Sequence, residues 1–157
     1  MSIITQKLPA LALMNYPNWN HDLEYSSGNS DRLLLNKRPL VLAVDDNQDN
    51  LELLAQILDL FGCDYVGAVD GGTALSAAAS RPPDLILLDI CLPDIDGIEV
   101  VSRIKQNPQL INIPIIAITA LAKTEDRDRI LQAGCVGYIS KPFDIDKLEA
   151  IIQRHLN

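Results

Sequence analysis

From Leu40 onward the chain alternates, five times over, between short runs of branched apolar residues and segments with helical spacing. The runs are LVLAV (40–44), YVGAV (65–69), LILLD (85–89), IPIIAIT (113–119) and VGYIS (136–140). Such runs, with no polar residue at every second place, suit strands buried on both faces of a parallel sheet. After Asn47, the residues Leu51, Leu54, Ala55, Leu58 and Phe61 make one helical stripe, stopped by Gly62. GTALSAAAS reads as a short alanine-rich helix halted by Pro82 and Pro83. GIEVVSRIKQN offers Val100, Val101 and Ile104 and ends before Pro108. TEDRDRILQAG is expected to begin at a capping Thr124 and to stop at Gly134. A last stripe of Leu148, Ile151 and Ile152 follows the capping acid Asp144. Right-handed crossovers turn this alternation into an α/β fold, a doubly wound parallel five-stranded sheet with helices on both faces.

The charge balance narrows what such a domain does. Net charge is −8 in 157 residues, and residues 1–38 carry +1 of it while the remainder carries −9. Phosphate contacts need Lys and Arg, so an acidic body argues against direct nucleic-acid binding. Cys63, Cys91 and Cys135 contain no C-x-x-C pair, which fits reduced thiols better than a disulfide framework or a zinc site. No apolar run approaches transmembrane length, and LPALALM is short, broken by Pro9 and lacks a small-residue cleavage site. A cytoplasmic protein without membrane contact is expected. Residues 1–38 are polar and turn-rich, with Trp19 among them, and read as a loosely ordered N-terminal extension before a folded domain at 39–157.

One detail of the runs stands out. Four apolar residues, Leu85 to Leu88, lead straight into Asp89. A charge at the end of a doubly buried strand is costly unless something pairs with it. In an open parallel sheet, ligands gather outside the carboxyl ends of the strands. There the topology would bring together Asp45 and Asp46 after the first strand, Asp89 at the third, Thr119 at the fourth and Lys141 after the fifth. Two like charges ~5 Å apart repel by roughly 3 kcal/mol at an effective dielectric of about 20. Three carboxylates therefore call for cations. Lys141 supplies one, and an all-oxygen donor set without histidine or thiolate favours Mg²⁺ over zinc.

These residues occur in VDDN, LLDICLPDIDG, ITA and GYISKPF, at separations of 44, 30 and 22 residues from Asp45 through Asp89 and Thr119 to Lys141. In that ordered set, residues 40–157 resemble the receiver domain of two-component response regulators, in its stand-alone form. The resemblance implies a flavodoxin-like fold. It implies that Asp89 accepts a phosphoryl group from a phosphohistidine of a sensor histidine kinase or a histidine phosphotransfer protein, forming 4-aspartylphosphate. Asp45, Asp46, Asp89 and the backbone carbonyl of Cys91 would hold Mg²⁺. Lys141 would meet the phosphoryl oxygens, Thr119 would move its hydroxyl onto them, and the small Ala120 would leave room for entry.

By the same resemblance, Tyr138 occupies the place of a switch aromatic that turns inward when Thr119 shifts. Its movement would alter the face made by the fourth helix, fifth strand and fifth helix, for binding a downstream protein as a monomer or a phosphorylation-dependent homodimer. Pro142 matches a family cis-proline. Cys91 departs from the family's commoner methionine or asparagine. Cys91 and Leu121 would flank the route of attacking water, both orient water poorly, and a fairly long-lived phosphoform is expected.

Blander readings apply residue by residue. Asp94 and Asp96 read as turn or cap residues, and Asp46 doubles as a candidate cap of the first helix. The side chain of Cys91 is expected to pack rather than react. The chain ends at Asn157, just after the fifth helix, so output is expected through protein contacts. A constitutive interaction module with a receiver fold is the alternative, disfavoured because acceptor, acids and lysine are all present. A flavin or nucleotide site is disfavoured by DDNQDN, which is acidic and lacks a glycine-rich phosphate cradle. Phosphatases with an aspartyl nucleophile usually carry a second acid two residues on, where this chain has Cys91.

Overall fold

Val41, Ala43, Leu85, Leu87, Ile116 and Ile118 face one side of a single sheet, while Leu42, Val44, Ile86, Leu88, Ile115 and Ala117 face the other. The side-chain period of two sends alternate residues to opposite faces, and both faces are apolar because both are covered. The computed structural model describes residues 37–120 and 123–156. In chain order its elements are β1 (Leu40–Val44), α1 (Gln48–Leu60), β2 (Asp64–Ala68), α2 (Gly71–Ser80), β3 (Leu85–Asp89), α3 (Gly97–Gln106), β4 (Ile115–Thr119), α4 (Thr124–Ala133), β5 (Gly137–Ser140) and α5 (Ile145–Leu156). All strand pairs are parallel, in the order β2-β1-β3-β4-β5. The doubly wound fold expected from the pattern is the fold observed.

The helices sort by face. Leu51, Leu54, Ile57 and Leu58 of α1 join Leu148 and Ile152 of α5 on one side. Ala74 and Ala78 of α2, Val100, Val101 and Ile104 of α3, and Ile130 of α4 cover the other. The strands β1, β3 and β4 are buried at every position. Truncating a fully buried leucine there, such as Leu87, would cost about 2–5 kcal/mol.

The expected spans hold for β1 and β3 and shift elsewhere, β4 starting at Ile115 rather than at residue 113. β1 and β3 match residue for residue. β2 starts at Asp64 and ends at Ala68, and β5 starts at Gly137. Each edge strand has one neighbour, so β2 buries only Ala68 and β5 only Ile139. Gly62 and Gly134 close α1 and α4 at φ +75° and +119°, a backbone region that L side chains adopt at a cost. The expected Thr124 cap is corrected: Lys123 holds the N-cap position of α4 without a side-chain hydrogen bond, and Thr124 is already helical. Asp144 caps as expected, accepting from the Asp146 amide at 2.9 Å. The readings made on residues 1–36, Trp19 among them, and on Leu121 lie outside the described residues.

Candidate functional site

Strand register brings the acids together. Val44 of β1 is the partner of Leu88 of β3, so Asp45 and Asp89 leave adjacent strands side by side. The chain runs from β1 outward to β2, then returns to β3, β4 and β5 on the opposite side. This reversal of winding opens a crevice between the carboxyl ends of β1 and β3. On the far side of β3, Asp89 pairs with Ile118, and Thr119 pairs with Ser140. The Lys141 amide donates to the Thr119 carbonyl at 2.8 Å, which holds the lysine at the same edge. The Lys141–Pro142 peptide bond is cis.

Lys141 Nζ donates to Asp45 Oδ2 at 2.7 Å and to Asp89 Oδ2 at 2.8 Å. Asp45 and Asp89 are 2% and 4% exposed, which leaves their charges little access to water. Burial pulls the lysine pKa down, but hydrogen bonds and charge from both carboxylates outweigh it and hold the ammonium above an ordinary lysine. The other Asp89 oxygen, Oδ1, accepts from the Cys91 amide at 2.9 Å. Asp45 Oδ1 accepts from the Asn47 amide at 2.9 Å, and Asp45 Oδ2 also accepts from Asn50 Nδ2 at 3.1 Å. Every buried carboxylate oxygen is thus oriented.

Asp46 lies at the open side of this group and is exposed. It does not cap α1; Asn47 does, accepting from the amides of Asp49 and Asn50. One carboxylate oxygen from each of Asp45, Asp46 and Asp89 falls within 4.8 Å of the others. With the ammonium counted, the group retains a formal charge of −2. An all-oxygen, doubly negative set with one exposed side fits Mg²⁺, which prefers carboxylates and keeps several waters. Thr119 is fully buried, and Ala120 beside it is exposed.

The loop after β3 is built around Gly97. A Cβ there would stand 2.6 Å from Ile90 Cα and 2.9 Å from the carbonyl oxygens of both Asp89 and Ile90. The Gly97 amide donates to the Ile90 carbonyl at 3.0 Å, folding the loop back on the strand end that bears Asp89. Asp96 caps α3 locally through the Ile98 amide. Asp94 caps at a distance, accepting from the amides of Gly71 and Gly72 at 2.8 and 2.9 Å. Those two bonds lower its pKa.

One correction concerns the Cys91 side chain. Cys91 does not pack in the core; it is exposed, at the lip of a groove lined also by Leu92, Arg129 and Ile130. Partial burial and then the Asp89 charge raise its thiol pKa, so the thiolate is disfavoured. The core thiols are Cys63 and Cys135. Sequence reading missed the supports of the site, namely Asn50, Gly97 and the reach of Asp94. Asn50 sits on the first turn of α1, five residues past Asp45, and that spacing was the available signal.

Tyr138 lies on β5, half-buried against the face covered by α2, α3 and α4. No described helix is long and apolar enough to cross a membrane.

Known proteins resemble this chain in sequence and in fold. The polar-differentiation response regulator DivK of Brucella anthropi is 39% identical over 116 residues, which are 74% of this chain and 94% of that protein. DivK of Brucella ovis matches to the same extent. The solved Vibrio cholerae chemotaxis protein CheY4 superposes with a TM-score of 0.73 at 29% identity, covering 76% of this chain and all of that one. The receiver domain of the Francisella response regulator 1452 gives 0.70 at 32% identity, covering 74% and 95%. Residues 41–153 match the sequence model of the response regulator receiver domain, and with these relatives the chain belongs to that family.

Proposed function

We propose that residues 39–157 form a phosphorylation-controlled switch of a two-component phosphorelay, with Asp89 as the phosphoacceptor. The observation that carries this reading is the convergence of Asp45, Asp46, Asp89 and Lys141 at one crevice, with Asp89 gripped through both oxygens. A buried carboxylate held in a single orientation is a nucleophile already positioned for in-line attack.

In the proposed reaction an Asp89 oxygen attacks the phosphorus of a partner's phosphohistidine. The phosphorus–nitrogen bond breaks, and the imidazole departs with the electron pair. Lys141 stays with the site and neutralises phosphoryl oxygens, since phosphoryl transfer is accelerated mainly by positioning and charge stabilisation. Asp45, Asp46, Asp89 and the Cys91 carbonyl would hold Mg²⁺, whose chemistry when bound is to neutralise charge on the transferring group. Asn50 and Asn47 orient Asp45 for that role. The small, exposed Ala120 would leave room for the phosphoryl group, and Thr119 would contribute its hydroxyl to the phosphorylated state.

Thr119 then couples the site to Tyr138, and the face of α4, β5 and α5 changes for a downstream protein. A phosphoryl group biases two existing conformations of that face rather than creating a new one. The partner supplying phosphate is a sensor histidine kinase or a histidine phosphotransfer protein, and the setting is cytoplasmic.

Incubation with acetyl phosphate and Mg²⁺, followed by intact-mass measurement, tests the reading. A phosphoryl-sized gain in the wild type that is lost in Asp89→Asn is expected. A protein that never gains mass is instead a constitutive interaction module.

A further inference from the structure

Tyr138 has a support on α4 that the acidic crevice does not explain. The Arg127 guanidinium carbon stands 5.0 Å from the centroid of the Tyr138 ring, within the range of cation–π attraction. Both residues are half-buried. The Arg127 Nε is enclosed and has no hydrogen-bond partner among the described residues. A guanidinium carries five donors and ordinarily gives them to carboxylates, carbonyls or water. An enclosed charged donor without an acceptor costs free energy, so something else must hold the side chain there.

No acid of the helix lies one turn from Arg127. The residues one turn away from Arg127 are Lys123, Thr124, Ile130 and Leu131, none of them a carboxylate. Asp126 and Asp128 are sequence neighbours and point around the helix. Among the described residues, the partner of the Arg127 side chain is the ring of Tyr138.

We infer that Arg127 is a positioning residue that holds Tyr138 in its resting place and so sets how readily the switch responds. The inference rests on the proposed function, in which Tyr138 moves when Asp89 is phosphorylated. An inward turn of the ring withdraws its face from the guanidinium. The stacking is lost in the switched state and kept in the resting one. A contact made in only one of two states shifts their ratio by its own free energy, here about two- to fivefold for a partly exposed cation–π pair. Without Arg127 the protein would be partly switched before any phosphate arrives.

The test is ¹⁹F NMR of protein labelled with 3-fluorotyrosine, with the Tyr138 resonance assigned by its loss in Tyr138→Phe. Spectra are taken at rest and after acetyl phosphate with Mg²⁺, and intact mass is read on the same samples. Arg127→Met, which keeps apolar cover and removes the charge, is expected to move the resting resonance toward the phosphorylated position, with a population ratio changed about two- to fivefold. Arg127→Lys, which keeps a cation, is expected to stay near the wild type. An Arg127→Met resonance unchanged at rest would overturn the inference, and so would Arg127→Lys shifting as far as Arg127→Met. Absence of the mass gain at Asp89 would instead defeat the phosphoacceptor reading. The dependence of the resting ring on Arg127 remains readable in that case.

Discussion

Thr119 and Tyr138 project from the same face of the sheet, on neighbouring strands and two residues out of step. The register pairs Thr119 with Ser140 and Ala117 with Tyr138, and alternation along each strand puts 117, 119, 138 and 140 on one side. Thr119 is fully buried while Tyr138 is half-buried, and the proposed switch runs from the first to the second. Replacing Thr119 with alanine should leave the mass gain at Asp89 in place and remove its effect on the Tyr138 environment. Tyrosine-specific NMR before and after acetyl phosphate checks this; an undiminished response in Thr119→Ala would refute the coupling.

Among the described residues, Lys141 is the one cation that pairs with both buried acids. Lys141→Met should destabilise the fold by about 3 kcal/mol, because removing one partner strands buried carboxylates. Added Mg²⁺ should recover part of that loss, since only the folded state gathers the three acids. Urea melts with and without the ion measure both. The folded pKa of Lys141 lies above its ordinary value, so its contribution is complete below the unfolded pKa and fades only as pH rises through the folded one. Stability from this pair should be flat across neutral pH and fall at the alkaline end.

Asp94 gives the opposite sign. Amides of Gly71 and Gly72 lower its pKa, so its contribution is present above the unfolded value and lost as pH falls through the folded one. Asp94→Asn should lower the melting temperature at neutral pH, and the gap to wild type should close in acid. Thermal melts across that range decide the matter, and a gap independent of pH would count against the capping role.

Gly97→Ala places a methyl against the backbone of Asp89 and Ile90. Overpacking of this kind costs about 1–3 kcal/mol, and here it must also displace the strand end that bears Asp89. The expected result is a lowered denaturation midpoint together with slower phosphorylation by acetyl phosphate. Loss of stability with an unchanged phosphorylation rate would show that the loop does not position the acid.

Cys91 stands exposed beside Asp89, and a thiol is a weak hydrogen-bonding group for orienting water. Cys91→Asn should shorten the lifetime of the phosphoform several-fold. Phosphate release after removal of the donor measures it, and identical decay in the two proteins would count against a part for this position.

Much of the design was legible because it is local or periodic. The runs at 40–44 and 85–89 became strands residue for residue, since strands buried on both faces read as near-continuous apolar runs, interrupted here by Asp89 at the end of β3. The stripe from Leu51 to Leu58 became the buried face of α1, though Ile57 lies in it and Ala55 is only half-buried. Asp45, Asp89, Thr119 and Lys141 were each found at a strand end, a position that hydrophobic pattern alone reveals. Thr124 misled because a capping residue and a first-turn residue look alike until the chain direction before the helix is known.

What the amino-acid order determined by itself was the sequence of strands and helices and the set of polar groups left at their ends. Packing in three dimensions decided the rest. It chose which strands lie at the edge, turned Cys91 outward, sent Asp94 to the helix of Gly71, and set Arg127 over Tyr138. The physical reason is range. Hydrophobic period acts between residues a few places apart, whereas these contacts join segments whose approach depends on how every intervening loop closes.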